Sequence, residues 1–276
     1  MSATVAFEVP TAQGPRPVTV SYTRRGSGEP LLLLHGIGHH RQAWDPVVDI
    51  LATERDVIAV DLPGFGVSPA LPDGLAYDLP TTTSVFGAFC EAMELDRPHV
   101  AGNSLGGLLA LELGREKLVR SVTALSPAGF WSQAERRYAF GVLVTMRRIA
   151  ERMPLPMVEQ LARTAVGRAA LTSTIYARPT RRSPEAVVAE TLALARATGF
   201  AETLRAGSTV QFTDDVPGLP VTLAWGTKDR LLIRRQGVRA KQIIPRARLV
   251  RLPGCGHCPM NDDPALVARV ILDGSR

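Results

Sequence analysis

Apolar residues along this chain form two kinds of pattern, and the change from one to the other divides it into zones. Unbroken apolar runs at residues 31–34 (Leu-Leu-Leu-Leu, between Pro30 and Gly36) and 57–60 (Val-Ile-Ala-Val, before Asp61-Leu62-Pro63-Gly64) carry no polar alternation. A strand buried on both faces has that character. His99-Val100-Ala101 repeats it, and residues 119–125 read as another strand. Nearer the N-terminus, residues 5–9 and 18–22 read as two antiparallel strands around a Pro- and Gly-rich stretch at 10–17. Residues 81–95 predict a helix, and another opens near Leu105. Strand and helix in alternation predict an α/β fold, a mostly parallel central sheet flanked by helices.

From about Gly129 to Phe212 the strand signal stops. Residues 132–152, 157–170 and 184–197 read as helices punctuated by Pro or Gly. Strands resume at 221–225 and 248–252, and a last helix at 264–272 begins on Pro264, a residue suited to a first turn. The expected organisation is one α/β core, residues 1–128 and 213–276, interrupted by a helical insertion at 129–212. An insertion of roughly 80 residues is too long for a plain loop.

The chain has 276 residues, 45% hydrophobic and 21% charged, enough for a sizeable core. Its formal charge of +6 sits entirely between Trp131 and Val210, which hold twelve Arg against six acidic residues. Those arginines are dispersed, without aromatic interleaving or a nucleic-acid module, so the expected partner is a small molecule and not nucleic acid. Some of them are candidates to draw an anionic substrate. The first eight residues carry neither a basic segment nor a long apolar one, so no signal peptide and no membrane span are expected. Three cysteines, Cys90, Cys255 and Cys258, do not suggest a disulfide framework, and a cytoplasmic location is the expectation.

Gly102-Asn103-Ser104-Leu105-Gly106 follows the run at 99–101 and precedes a helix, the context in which G-x-S-x-G forms a nucleophile elbow. A serine at the tip of such a turn is backbone-strained, so its neighbours two residues away must be small. Gly102 and Gly106 meet that demand. A serine hydroxyl needs a general base, usually histidine. His257, in Pro253-Gly254-Cys255-Gly256-His257-Cys258, follows the last strand and reaches the same sheet edge as Ser104. Asp229 follows the strand at 221–225 and is the candidate acid that orients His257. The other usual place for that acid, after the strand at 119–125, holds Ser126-Pro127. Asp262 and Asp263 precede Pro264 and read as helix-capping residues. The candidate oxyanion donors are the backbone N–H groups of Leu105 and of Ile37, in His35-Gly36-Ile37-Gly38.

With these segments the chain resembles the α/β-hydrolase superfamily, in the serine-nucleophile branch with a helical cap. Leu34-His35-Gly36-Ile37-Gly38, Asp61-Leu62-Pro63-Gly64-Phe65-Gly66-Val67-Ser68, residues 102–107, Gly226-Thr227-Lys228-Asp229 and Gly254-Cys255-Gly256-His257 occur in the family's order across nearly the whole chain. The resemblance implies that 129–212 is the cap and that Asp61 belongs to a structural loop. Members that open epoxides or displace halide carry Asp at the elbow, which Ser104 argues against. Members that cleave carbon–carbon bonds of ring-fission products often share the Gly-Asn-Ser elbow and use cap arginines, but commonly have Trp where this chain has Cys258.

The expected function is a cofactor-independent serine hydrolase acting on a carboxylic ester or related acyl substrate. A carbon–carbon hydrolase of ring-fission products, a lactonase and a ligand-binding receptor of the same fold are the alternatives. No cofactor and no metal are expected. Cys255-Gly256-His257-Cys258 matches a C-x-x-C pattern, but lacks a thioredoxin-like setting or a second ligand cluster. Its two thiols raise the question of an oxidation-sensitive His257 loop. His39 and His40 read as a solvated pair near the entrance, Met146, Met153 and Met157 as packing within the cap. Phe130, Trp131, Tyr138 and Phe140 are candidates either to line the pocket or to be buried against the core.

Overall fold

The computed structural model describes residues 2–276. Strand β1 (Ser2–Val9) pairs antiparallel with β2 (Arg16–Arg25). Then follow β3 (Pro30–Leu34), α1 (Asp45–Leu51), β4 (Asp56–Val60), α2 (Leu79–Ala92), β5 (His99–Asn103), α3 (Leu105–Arg115) and β6 (Ser121–Leu125). Five helices come next: α4 (Gln133–Arg152), α5 (Leu155–Arg163), α6 (Ala165–Thr172), α7 (Pro184–Arg196) and α8 (Phe200–Ala206). The chain ends with β7 (Val221–Gly226), α9 (Arg235–Ile243), β8 (Arg248–Leu252), α10 (Pro259–Asp262) and α11 (Pro264–Gly274).

All eight strands form one sheet in the order β1-β2-β4-β3-β5-β6-β7-β8, parallel from β4 through β8. The expected α/β class is what the chain adopts. Alternation along each strand splits the core in two, since successive side chains point to opposite faces. Leu32 and Leu34 join the cluster that contains Phe86, Leu109 and Trp225. Leu31 and Leu33 join the other, with Trp44, Val267 and Ile271. The outer strand β8 exposes Arg248 and Arg251, charges that discourage edge-to-edge pairing.

The strand order reverses at β3 and β5, because the chain passes from β3 to β4 on one side and to β5 on the other. In parallel sheets a ligand crevice forms beyond the carboxyl ends at such a point. Leu34 of β3 stands beside Gly102 of β5, and Asn103 beside Leu125 of β6. The loops at 35–40, 104, 126–132, 227–234 and 253–258 therefore leave one edge of the sheet together.

Element boundaries shift where side-chain caps intervene. The expected helix at 81–95 starts earlier because Asp78 accepts the N–H of Thr81 at 2.9 Å, with Pro80 in the first turn. The single helix expected at 157–170 is two, α5 and α6. Thr164 breaks it by turning extended (φ −101°, ψ 147°) and accepting the N–H of Gly167. Ser132 and Glu135 form a reciprocal capping box at the start of α4. Helices α1, α8, α9 and α10 are not among the elements the sequence pattern predicts.

Candidate active site

The turn from β5 into α3 places Ser104 at φ 57°, ψ −114°, a region that non-glycine residues rarely occupy. It is held there from several sides. The Ser104 N–H donates to Leu125 O at 3.0 Å, and its carbonyl accepts from Leu108 and Ala128. A Cβ at Gly102 would overlap the Gly106 carbonyl, and one at Gly106 would overlap the Leu34 carbonyl. Both elbow glycines are thus required by close backbone approach.

His257 and Asp229 meet at the same edge, their chain segments brought side by side by the pairing of Gly226 with Leu252. His257 Nδ1 lies 2.9 Å from Asp229 Oδ2, and both side chains are buried. Asp229 Oδ1 accepts the N–H groups of Leu231 and Leu232, each at 2.9 Å, so the carboxylate cannot rotate away. A carboxylate only accepts, which puts the proton on Nδ1 and leaves the Nε2 lone pair of neutral His257 free. Ser104 and His257 line one cavity.

The residues that carry the candidate oxyanion donors lie beside Ser104. Ile37, Ser104 and Leu105 border one small cavity, and a Cβ on Gly36 would come within 3.2 Å of Ser104 Cβ. The loop after β3 is braced from beneath. Asp61 accepts the Arg41 N–H at 2.7 Å and that of Val67 at 3.0 Å, and forms a buried ion pair with the Arg41 guanidinium. His35, buried beside Phe65, accepts the Leu62 N–H at 3.0 Å, and burial lowers its pKa.

Two residues tie these parts together. Asn103 Nδ2 donates to Leu125 O (3.0 Å) and to His257 O (2.9 Å), and its Oδ1 accepts the Cys258 thiol at 3.3 Å. One amide thereby fixes the elbow to the His257 loop. In the sequence Asn103 stands out only as part of the shared Gly-Asn-Ser elbow, and nothing in its spacing reveals these partners. Asp262 departs from its expected helix-capping role, which belongs to Asp263 alone. Asp262 is fully buried and accepts the N–H groups of Gly256 (2.7 Å), Ala177 (3.0 Å) and Arg178 (2.7 Å). Its carbonyl accepts from the Arg178 and Arg181 guanidinia.

The shared cavity has a volume of about 710 Å³, within the usual range for ligand sites. Its wall is largely apolar, with Met146, Ile149, Met153 and Leu161 from α4, its following turn and α5. Two of the three methionines expected to pack inside the helical segment therefore face the cavity, while Met157 is exposed. Of the four aromatic candidates, Tyr138 lines this cavity, Trp131 and Phe140 line the smaller one, and Phe130 is buried in the core.

His39 and His40 are buried and stacked, not solvated; burial lowers His39 strongly and brings His40 to about 4. His39 Nε2 lies 3.2 Å from the Tyr176 hydroxyl, which donates to Glu190 Oε1 at 2.9 Å. Arg182 also donates to Glu190 Oε1. This buried chain joins α7 to the loop after β3. Burial raises the Glu190 carboxyl against the opposing pull of Arg182.

Cys255 and Cys258 are free thiols with separate partners, Pro253 O and Asn103 Oδ1. Burial pushes Cys255 up to about 12 and Cys258 well above the usual thiol range, which withholds the reactive thiolate and weighs against an oxidation-sensitive loop. Among the described residues no helix is long and apolar enough to cross a membrane.

The model of the alpha/beta hydrolase family matches residues 31–270. This chain belongs to the alpha/beta hydrolase family. The hydrolase is 30% identical over 260 residues to an uncharacterized protein of Mycobacterium tuberculosis strain H37Rv, covering 89% of this chain and 75% of that one. Its fold is similar to a thermophilic esterase from Thermogutta terrifontis, with a TM-score of 0.76, 20% identity and coverage of 98% and 97% of the two chains. It is also similar to a meta-cleavage product hydrolase from Pseudomonas fluorescens IP01, with a TM-score of 0.73, 20% identity and 96% of each chain covered.

Proposed function

We propose that this hydrolase is a cofactor-independent serine enzyme cleaving carboxylic esters or closely related acyl substrates, with Ser104 as nucleophile, His257 as base and Asp229 as the orienting acid. The observation that carries the reading is Ser104 at φ 57°, lining a cavity it shares with His257. Backbone strain of that kind persists only where surrounding structure enforces it. In this mechanism Ser104 Oγ attacks the acyl carbon while His257 Nε2 takes its proton. The N–H groups of Ile37 and Leu105 receive the developing oxyanion. His257 then protonates the leaving oxygen, and water activated by the same imidazole releases the acyl group. Residues 129–212 serve as the cap that excludes bulk water and shapes the substrate cavity.

A carbon–carbon cleavage like that of the meta-cleavage relative shares this nucleophile. A ring-fission product carries a carboxylate, and the cation that borders the cavity is Arg137, at an exposed position, with the buried Glu190 bordering it as well. Arg147, Arg168, Arg178, Arg181 and Arg182 lie outside that lining, held by carbonyl or carboxylate partners. The decisive experiment is labelling with a fluorophosphonate probe alongside ester hydrolysis. Ser104 should become modified in folded protein, and Ser104→Ala should lose both labelling and turnover. Unlabelled Ser104, or ester turnover insensitive to the substitution, refutes the mechanism.

A further inference from the structure

Ser104 stands on a partition between two cavities of very different size. The larger holds about 710 Å³ and the smaller about 50 Å³. Ile37, Ser104, Leu143 and Leu231 border both. The smaller one is apolar, closed by Leu108, Trp131, Phe140 and Leu204. Leu105 borders only the smaller cavity, and His257 only the larger.

That division assigns the two halves of an ester. The oxygen that leaves must receive its proton from His257, so the alcohol portion lies on the His257 side. The carbonyl oxygen lies against the Ile37 and Leu105 N–H groups, and the chain beyond the carbonyl carbon continues past Leu105 into the smaller cavity. A single water needs roughly 10–15 Å³ of such space, so this cavity admits a chain of about four carbons.

Resting on the serine-hydrolase reading above, we propose that the substrates are short-acyl esters, acetyl to about butanoyl, of bulky apolar alcohols. In the first step the Ser104 Oγ–acyl bond forms, the acyl–alkoxy bond breaks, and the Ser104 proton passes through His257 to the departing alcohol. In the second, water adds to the acyl carbon, the Oγ–acyl bond breaks, and the proton returns to Oγ. Departure of the bulky alcohol empties the cavity that His257 faces, so the hydrolytic water arrives on the side of its base while the short acyl chain stays out of its path.

Two ester series test the assignment. One fixes the alcohol as 4-nitrophenol and lengthens the acyl chain from acetyl to octanoyl. The other fixes the acetyl group and enlarges the alcohol from ethanol to 2-naphthylethanol. kcat/KM should fall at least about tenfold from butanoyl to octanoyl in the first, because a misfit of one methylene already costs that much. It should rise at least about tenfold across the second. Leu204→Ala should move the acyl optimum toward longer chains. A preference for octanoyl esters, or a penalty for the bulky alcohol, overturns the assignment while Ser104-dependent turnover leaves the hydrolase reading standing. Fluorophosphonate labelling of Ser104 without turnover in either series also overturns the substrate class alone. Absence of both labelling and turnover overturns the hydrolase reading and this inference with it.

Discussion

Along the carboxyl edge of the sheet, Ser104, Asn103, Asp229 and His257 are each tied by backbone atoms or by one another, at distances that leave no slack. The helices above meet the cavity differently, through Met146, Ile149, Met153 and Leu161, side chains that fill space without fixing a direction. Methionine in particular adapts its shape to what it touches. In the proposed mechanism one region holds a reacting atom still and the other accepts substrates that differ in outline. The contrast teaches where a substitution should alter chemistry and where it should alter only fit.

The sharpest way to break the contrast is at the elbow. Ser104→Ala should reduce kcat by up to about 10⁶-fold with the fold intact. Ser104→Gly should do the same while raising stability by about 1 kcal/mol, because glycine accepts φ 57° without strain. Calorimetry that finds the glycine variant less stable than the serine protein contradicts the strain argument. Asp229→Asn should cost about 10⁴-fold, less than loss of Ser104, by favouring the wrong His257 tautomer. Steady-state rates near those of the parent would remove Asp229 from the machinery.

A smaller effect belongs to Asn103. Asn103→Ala strips hydrogen bonds from Leu125 O, His257 O and the Cys258 thiol, and should destabilise the chain by about 1–3 kcal/mol. It should also lower kcat more than it raises KM, since it loosens the His257 loop and not the cavity wall. The opposite split would place Asn103 with substrate binding. Away from the elbow altogether, a pH dependence of stability is expected from the loop after β3. Burial holds His40 down to about 4 in the folded chain, against 6.5 for an ordinary histidine. The unfolded chain takes up the proton first as pH falls, so stability present above pH 6.5 is lost toward pH 4, at about 1.4 kcal/mol per pH unit for this group. His40→Gln should flatten urea-unfolding free energies over that window; an unchanged slope would show that His40 contributes nothing there.

The same contrast governs what could be read before the structure. The elbow was legible because its constraint is local: two glycines flank a serine between an apolar run and a helix. Asp229 and His257 were legible as residues following strands, since parallel strands deliver their loops to one edge. Asn103 and Asp262 were not, because their partners lie in segments far apart in the sequence, His257 for one and 177–178 for the other. The helices between β6 and β7 were opaque in orientation. Met146 and Met157 have the same chemistry, yet one faces the cavity and the other water. The buried His39–Tyr176–Glu190–Arg182 chain escaped for the same reason, each member being an ordinary polar residue until the fold removes its water.

Asp262 carries a mechanical consequence. It grips residues 177–178 with its carboxylate and two guanidinia with its carbonyl, near the midpoint of the long excursion between β6 and β7. A roof pinned at its centre keeps only its short outer spans to move, and each span has its own tie to the sheet-bearing part: Glu135 with Arg235 and Arg239 on the α4 side, Tyr176 with His39 and Arg182 with Gln42 O on the α7 side.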